Sequence, residues 1–117
     1  MTEPMNMCRS DLDMETDIVA LDLTAPRVTP DQIEELLAQV TYHVVQPEGT
    51  TTTIVTAFDV NGFSLCTELM ACASPENFRA ELGETYGIQR CENAAREMLW
   101  KLEGYKLKCQ LAEAGEL

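Results

Sequence analysis

Residues 51–70 read TTTIVTAFDVNGFSLCTELM, and this stretch decides the fold. β-Branched residues crowd positions 51–60, Asn61-Gly62 follows, and an apolar-rich run resumes at Phe63. Asn-Gly is the preferred pair for a two-residue type I′ turn, because both central positions need positive φ. Such a turn fixes the register. It sets Val60 opposite Phe63, Phe58 opposite Leu65, Thr56 opposite Thr67 and Ile54 opposite Leu69, all on one face, and six of these eight residues are apolar. The other face pairs Asp59 with Ser64, Ala57 with Cys66 and Val55 with Glu68. Turn chemistry and face composition agree independently. The stretch therefore predicts an antiparallel hairpin whose Phe58 and Leu65 side is covered by the rest of the chain.

Upstream, Thr29-Pro30-Asp31-Gln32 is a helix start, with Thr29 as cap, Pro30 at the first position and Gln32 completing a capping box. Ile33, Leu36, Leu37, Val40 and Val44 recur at helical spacing, so a helix is expected from 30 to about 42, ending before Gln46-Pro47-Glu48-Gly49. Before it, residues 1–27 form an acidic arm in which Asp11, Asp13, Glu15, Asp17 and Asp22 interleave with single apolar residues. The arm is expected to be partly disordered, with 18–23 able to pair as an edge strand.

Downstream, Ser74-Pro75-Glu76 opens a second helix, expected over 75–102 with Gly104 placed to end it. Its stripe runs Gly83, Gly87, Cys91, Ala95, Met98, Leu102, with Phe78, Leu82 and Tyr86 as a flanking row. Two glycines inside a helix cost about 1 kcal/mol each relative to alanine, which implies close packing unless they mark a kink between two shorter helices. The fold class is thus α+β: acidic arm, helix, antiparallel hairpin, and a long C-terminal helix packed on the sheet, as a single domain over 28–108 with a tail over 109–117. A lone hairpin is marginal. A homodimer is expected to help cover it, by strand pairing or by helix packing through Gly83 and Gly87.

The 117 residues (13.0 kDa, 45% hydrophobic) suit one soluble domain, with no apolar run of membrane-spanning length and no signal-peptide layout at the N-terminus. The net charge of −12 disfavours binding to phosphate backbones. Residues 1–85 hold fifteen acids against three bases, whereas 86–108 hold three acids against Arg90, Arg96, Lys101, Lys106 and Lys108. Those bases either complement the negative end of the helix dipole or make an anion-binding surface. The five cysteines include no Cys-x-x-Cys pair, and with His43 the only histidine there is no zinc-site spacing. They read as reduced thiols acting as small hydrophobes.

No catalytic constellation emerges: His43 closes a helix, no carboxylate pair lies on an apolar face, and phosphate-loop, dinucleotide and calcium-loop motifs are absent. The chain is expected to be neither an enzyme nor a holder of metal or cofactor. The densest group of unusual residues is Trp100, Lys101, Glu103 and Tyr105, with Arg96, Lys106 and Lys108 beside it. Trp100 and Tyr105 either close the end of the core or stack a base whose phosphate the cations hold.

The strings Ala71-Cys72-Ala73-Ser74-Pro75-Glu76-Asn77-Phe78, Glu81-Leu82-Gly83, Glu92-Asn93-Ala94 and Trp100-Lys101-Leu102-Glu103-Gly104-Tyr105, together with Asn61-Gly62-Phe63, resemble the gene-49/gene-66 family of small tailed-phage proteins over about residues 28–108. The resemblance implies a phage origin, an accessory role in the host cytoplasm, and no active site. Small non-structural phage proteins often bind host components, including those of immunity. One expectation is therefore a non-enzymatic protein that binds and inhibits a host defence factor with a basic surface, through the acids Asp11, Asp13, Glu15, Asp17, Glu34 and Glu35. The other is a module sequestering a cyclic-nucleotide signal at a dimer interface, using Trp100, Tyr105 and the neighbouring bases. A virion or assembly role ranks behind both.

Overall fold

Thr29 caps the helix α2 (Pro30–Leu37) as its sequence demands, its side chain accepting from the Gln32 amide at 3.2 Å. The helix is shorter than expected. After the turn at Ala38 and Gln39 the chain extends into a strand β1 (Thr41–Val45), so Tyr42 and Val44 alternate inward from a sheet instead of continuing a helical stripe. Strands β2 (Thr52–Phe58) and β3 (Ser64–Ala71) follow, in an antiparallel sheet of order β1-β2-β3. A helix α1 (Arg9–Ala20) precedes them and a 34-residue helix α3 (Ala80–Glu113) closes the chain. The fold is α+β, with the long helix packed on the sheet. These positions come from a computed structural model, which describes residues 9–117.

The arm is helical where it was expected to be extended. The stretch 18–23 finishes α1 and turns off it, with Asp22 at φ +55, Leu23 N–H bonded to the Ile18 carbonyl and Asp22 N–H to that of Val19. This is a left-handed helix closure with an aspartate where glycine is commoner. The first half of the arm, including Cys8, lies largely outside the described residues.

The hairpin stands where Asn61-Gly62 puts it, but the turn differs. Gly62 has φ +81 and Asn61 does not share it. Asp59 N–H donates to Phe63 O (2.9 Å), Gly62 N–H to Asp59 O (3.0 Å), and the Asp59 carboxylate accepts from the amides of Asn61 and Phe63 at 2.8 Å each. The loop is thus the three residues Val60–Gly62, a turn followed by a left-handed glycine. Its extra residue is offset by a bulge, since Phe58 pairs with Ser64 while Ala57 pairs with Cys66, leaving Leu65 over. The two offsets cancel. Ala57–Cys66, Thr56–Thr67, Val55–Glu68 and Ile54–Leu69 keep the expected register, but Phe58–Leu65 and Val60–Phe63 are not partners.

The covered face is the opposite of the one expected. Thr53, Val55 and Ala57 are buried under α3, and the bulge turns Leu65 inward to 4% exposure, so Phe58 and Leu65 lie on different sides. Leu69 is 55% exposed, and Phe63 and Val60 are more so. Size explains the choice. The small-residue stripe of α3 brings its backbone close to the sheet, and a Cβ built on Gly87 would sit 2.8 Å from Val55 Cγ2, while one on Gly83 would overlap the Thr53 side chain. Such an approach suits valine and alanine on the facing strand, not isoleucine and phenylalanine. The contact foreseen between glycines of two copies is therefore made inside one chain. Cys91 and Ala95 continue the stripe as fully buried residues.

Both ends of α3 depart from expectation. Ser74 and Pro75 accept from the amides of Asn77 and Phe78 in a short turn, and the helix begins five residues after Pro75, at Ala80. It passes through Gly104 and stops at Gly115, whose φ is +74, with Glu116 N–H on Leu111 O and Gly115 N–H on Ala112 O. The stop signal was a glycine, eleven residues later than read.

Helix propensity alone makes Gly87→Ala stabilising by about 1 kcal/mol. Packing reverses the sign, and a net loss of about 1–3 kcal/mol is expected, read as a melting temperature lowered by several degrees. In a Val55→Ala background the same change should cost markedly less, because the two sites share one contact.

Candidate functional site

The residues of the Trp100 cluster are dispersed around α3. Trp100 is half-buried and its indole Nε1 donates to Asp11 Oδ2 at 3.0 Å, fastening the start of α1. Arg96 is buried. Its Nε donates to Glu34 Oε2 at 2.8 Å, Nη1 to Asn93 Oδ1 at 2.9 Å and Nη2 to Glu92 Oε1 at 3.3 Å. Glu103 accepts from Gln32 Nε2 at 3.1 Å and from Lys106 Nζ at 3.0 Å. Tyr105, Lys101 and Lys108 remain exposed, on one stripe of the helix at i, i+4 and i+7.

The expected acidic surface divides in the same way. Glu34 is spent on Arg96, Asp11 on Trp100, and Glu15 on Arg27 at 2.7 Å. Asp13, Asp17 and Glu35 stay exposed. Half of the six acids expected to form one surface are thus engaged within the chain, and half remain in solvent.

The site that sequence reading missed lies at the other end of α3. A cleft of about 200 Å³ opens between the β2–β3 end of the sheet and the first turns of α3. Met70, Phe78, Leu82 and Gly83 wall it, with Cys72, Asn77, Arg79 and Tyr86 also lining it. Its loop is held in shape by the Thr51 hydroxyl donating to the Cys72 carbonyl, the Cys72 thiol donating to Ser74 O at 3.3 Å, and Arg79 Nη1 donating to the carbonyls of Phe78 (2.7 Å) and Glu76 (3.1 Å). Glu76, Glu81 and Glu84 are exposed and interleave with the lining residues. The signal was in the sequence. Phe78, Leu82 and Tyr86 are the row flanking the glycine stripe, and a row beside a helix's packed stripe lies at the edge of the sheet, where a cleft forms.

Much of the cleft lining comes from residues 71–83, which contain Ser74-Pro75-Glu76-Asn77-Phe78, one of the strings that carry the resemblance. A family model described as the phage protein (N4 Gp49/phage Sf6 gene 66) family matches residues 28–111. The chain belongs to that family. The match takes in α2, the whole sheet, the cleft loop and nearly all of α3, and leaves α1 outside. Comparison with curated proteins returns no match, and neither does comparison with solved structures.

Among the described residues of this phage-family protein, no group of three or more histidines, cysteines and acids is placed to hold a metal ion, and no helix is long and apolar enough to cross a membrane. His43 is exposed on β1. Cys66 and Cys91 are free thiols 3.5 Å apart between β3 and α3. Burial pushes the Cys91 thiol from 9.0 up to about 12, reinforced by the hydrogen bond with Cys66, and raises Cys66 as well. Burial, with Glu92 nearby, also pushes Tyr42 up to about 12. These groups stay neutral and packed at neutral pH.

Replacing Arg96 by Met leaves Glu34 confined without its partner, both side chains being only 10% and 13% exposed. A loss of about 3 kcal/mol is expected in denaturant unfolding, and adding Glu34→Gln should restore much of it. The raised thiol has its own signature. The unfolded Cys91 ionises near 9 and the folded one only near 12, so the unfolded state binds fewer protons between them and stability falls as pH rises through that window. Melting curves from pH 9 to 12 should decline less steeply for Cys91→Ala than for the wild type.

Proposed function

We propose that this phage-family protein is a non-catalytic binding protein that engages a host factor through the cleft at the start of α3, and that the factor presents a basic surface with an apolar side chain as anchor. The observation that carries the reading is the pairing of an open apolar cleft with exposed glutamates. Leu82 is 52% exposed beside it, and Glu76, Glu81 and Glu84 stand on the same segment. A pocket takes an anchor by area buried, while surrounding charge selects the partner's sign and speeds encounter. The excess of fifteen acids over three bases through residue 85 supports the same sign of partner. A phage gains from occupying basic host surfaces, such as the nucleic-acid channel of a defence nuclease or CRISPR complex, and inhibition in the host cytoplasm would follow from occlusion alone.

The nucleotide-sequestering alternative has less support. It asks Trp100, Arg96 and Lys106 to turn to a ligand, and these are engaged with Asp11, Glu34 and Glu103 respectively.

The test is affinity capture from host lysate with wild-type protein and with Leu82→Arg, a surface change expected to leave the circular dichroism spectrum unaltered. A basic host protein should be retained by the wild type, released as salt is raised, and lost at least about tenfold with Leu82→Arg. Retention of the same partner by the variant would overturn the cleft as the docking site.

A further inference from the structure

Arg27, Arg90, Arg96 and Lys106 pair with Glu15, Glu68, Glu34 and Glu103, whereas two exposed bases of α3, Lys101 and Lys108, have no ion-pair partner among the described residues. The helix dipole does not account for them. Its effect fades within the last turn, and with α3 ending at Glu113 that turn contains no base. Lys101 and Lys108 instead flank Tyr105, itself 71% exposed, on the outer side of the helix beyond Leu99, its last fully buried residue. From there to Glu113 the helix extends roughly 21 Å.

A matching surface lies beside it. The outward side of α1 carries Asp13 and Asp17 one turn apart with Met14, and Leu21 follows on the same side, all exposed. The indole–carboxylate bond between Trp100 and Asp11 sets the start of α1 next to the start of the basic strip. One copy therefore presents an acidic, partly apolar helix face and a basic, aromatic helix face side by side. Adjacent patches of opposite sign are self-complementary under a two-fold rotation, which brings each patch onto its opposite in the other copy and closes the assembly.

We propose that the strip Lys101–Tyr105–Lys108 is the docking site for α1 of a second copy of this chain, in a symmetric dimer that makes this contact twice. Lys101 and Lys108 meet Asp13 and Asp17 of the other copy, and Tyr105 covers Met14. This interface lies toward the opposite end of α3 from the cleft, so it leaves the proposed host-factor site open and stands independently of it. A basic partner is excluded from the strip by sign. An acidic protein or a nucleotide is the competing occupant.

Charge reversal in two halves tests this. Sedimentation velocity at micromolar concentration should show wild type as a dimer. Lys101→Glu/Lys108→Glu and Asp13→Lys/Asp17→Lys should each be shifted to monomer, with dissociation constants raised about tenfold or more. Mixed in equal amounts, the two variants should form a heterodimer, because both contacts regain opposite signs, and a chain carrying all four changes should dimerise with itself. A wild type that stays monomeric overturns the proposal. So does a dimer that neither reversal weakens, or a pair of variants that fails to recombine. Binding of a nucleotide or an acidic protein at Lys101 and Lys108 to a monomeric wild type would assign the strip to that occupant instead.

Discussion

The approach of α3 to β2 at Gly87 and Val55 determines where the rest of the molecule lies. A helix that close to a sheet favours the smaller side chains Thr53, Val55 and Ala57 on the facing strand, so Ile54, Phe58 and Leu69 lie on the other face, while the bulge turns Leu65 inward. The same contact fixes what overhangs. Eight residues of β3 span about 26 Å, whereas the 34 residues of α3 span about 51 Å. A helix pinned near its first third to so short a sheet leaves its start as one wall of a cleft and carries its final third beyond the last fully buried residue, Leu99. Both surfaces to which function is assigned are consequences of that mismatch in length.

A second constraint is the buried cation. Arg96 reaches Glu34, Glu92 and Asn93 at once, and this network joins α2 to α3 with directional bonds that apolar packing does not provide. Ion pairs taken out of water give little net stability, because desolvation offsets attraction, but removal of one partner is strongly unfavourable. The network's main effect is therefore to select one relative placement of α2 and α3. Burial on this side of the sheet also raises the pKa values of Tyr42 and Cys91.

Local chemistry was legible in the sequence and tertiary choice was not. The Thr29-Pro30 start, the Asn-Gly reversal and the small-residue stripe of α3 depend on neighbours a few residues away, and each sits where it was read. The turn type was set by the Asp59 carboxylate, whose bonds to two amides favour a three-residue loop that the Asn-Gly pair alone does not signal. Strand β1 was hidden because Val40 and Val44 satisfy a helical period as well as an alternating one. Face selection needed the distance between helix and sheet, a property of neither segment alone. Trp100 stood out in the sequence, but the partner of its indole, Asp11, lies 89 positions away. The cleft was spelled out by Phe78, Leu82 and Tyr86, but a row of apolar residues acquires a concavity only once the sheet edge beside it is known.

The charge pattern gains its meaning from this geometry. Along α3, Tyr86 at the cleft and Lys101 at the strip are separated by roughly 22 Å on one rigid helix, while screening reduces unpaired fields over about 8 Å in physiological salt. The two ends are thus electrostatically independent, and one chain can offer an acidic surface and a basic one without either cancelling the other. A chain of net charge −12 repels its own copies over most of its surface. In the proposed dimer, association between copies is confined to the place where opposite signs meet at contact distance, which would make a short strip of two lysines and a tyrosine more selective than its area suggests. Were those lysines distributed among the acids, the same composition would specify neither contact.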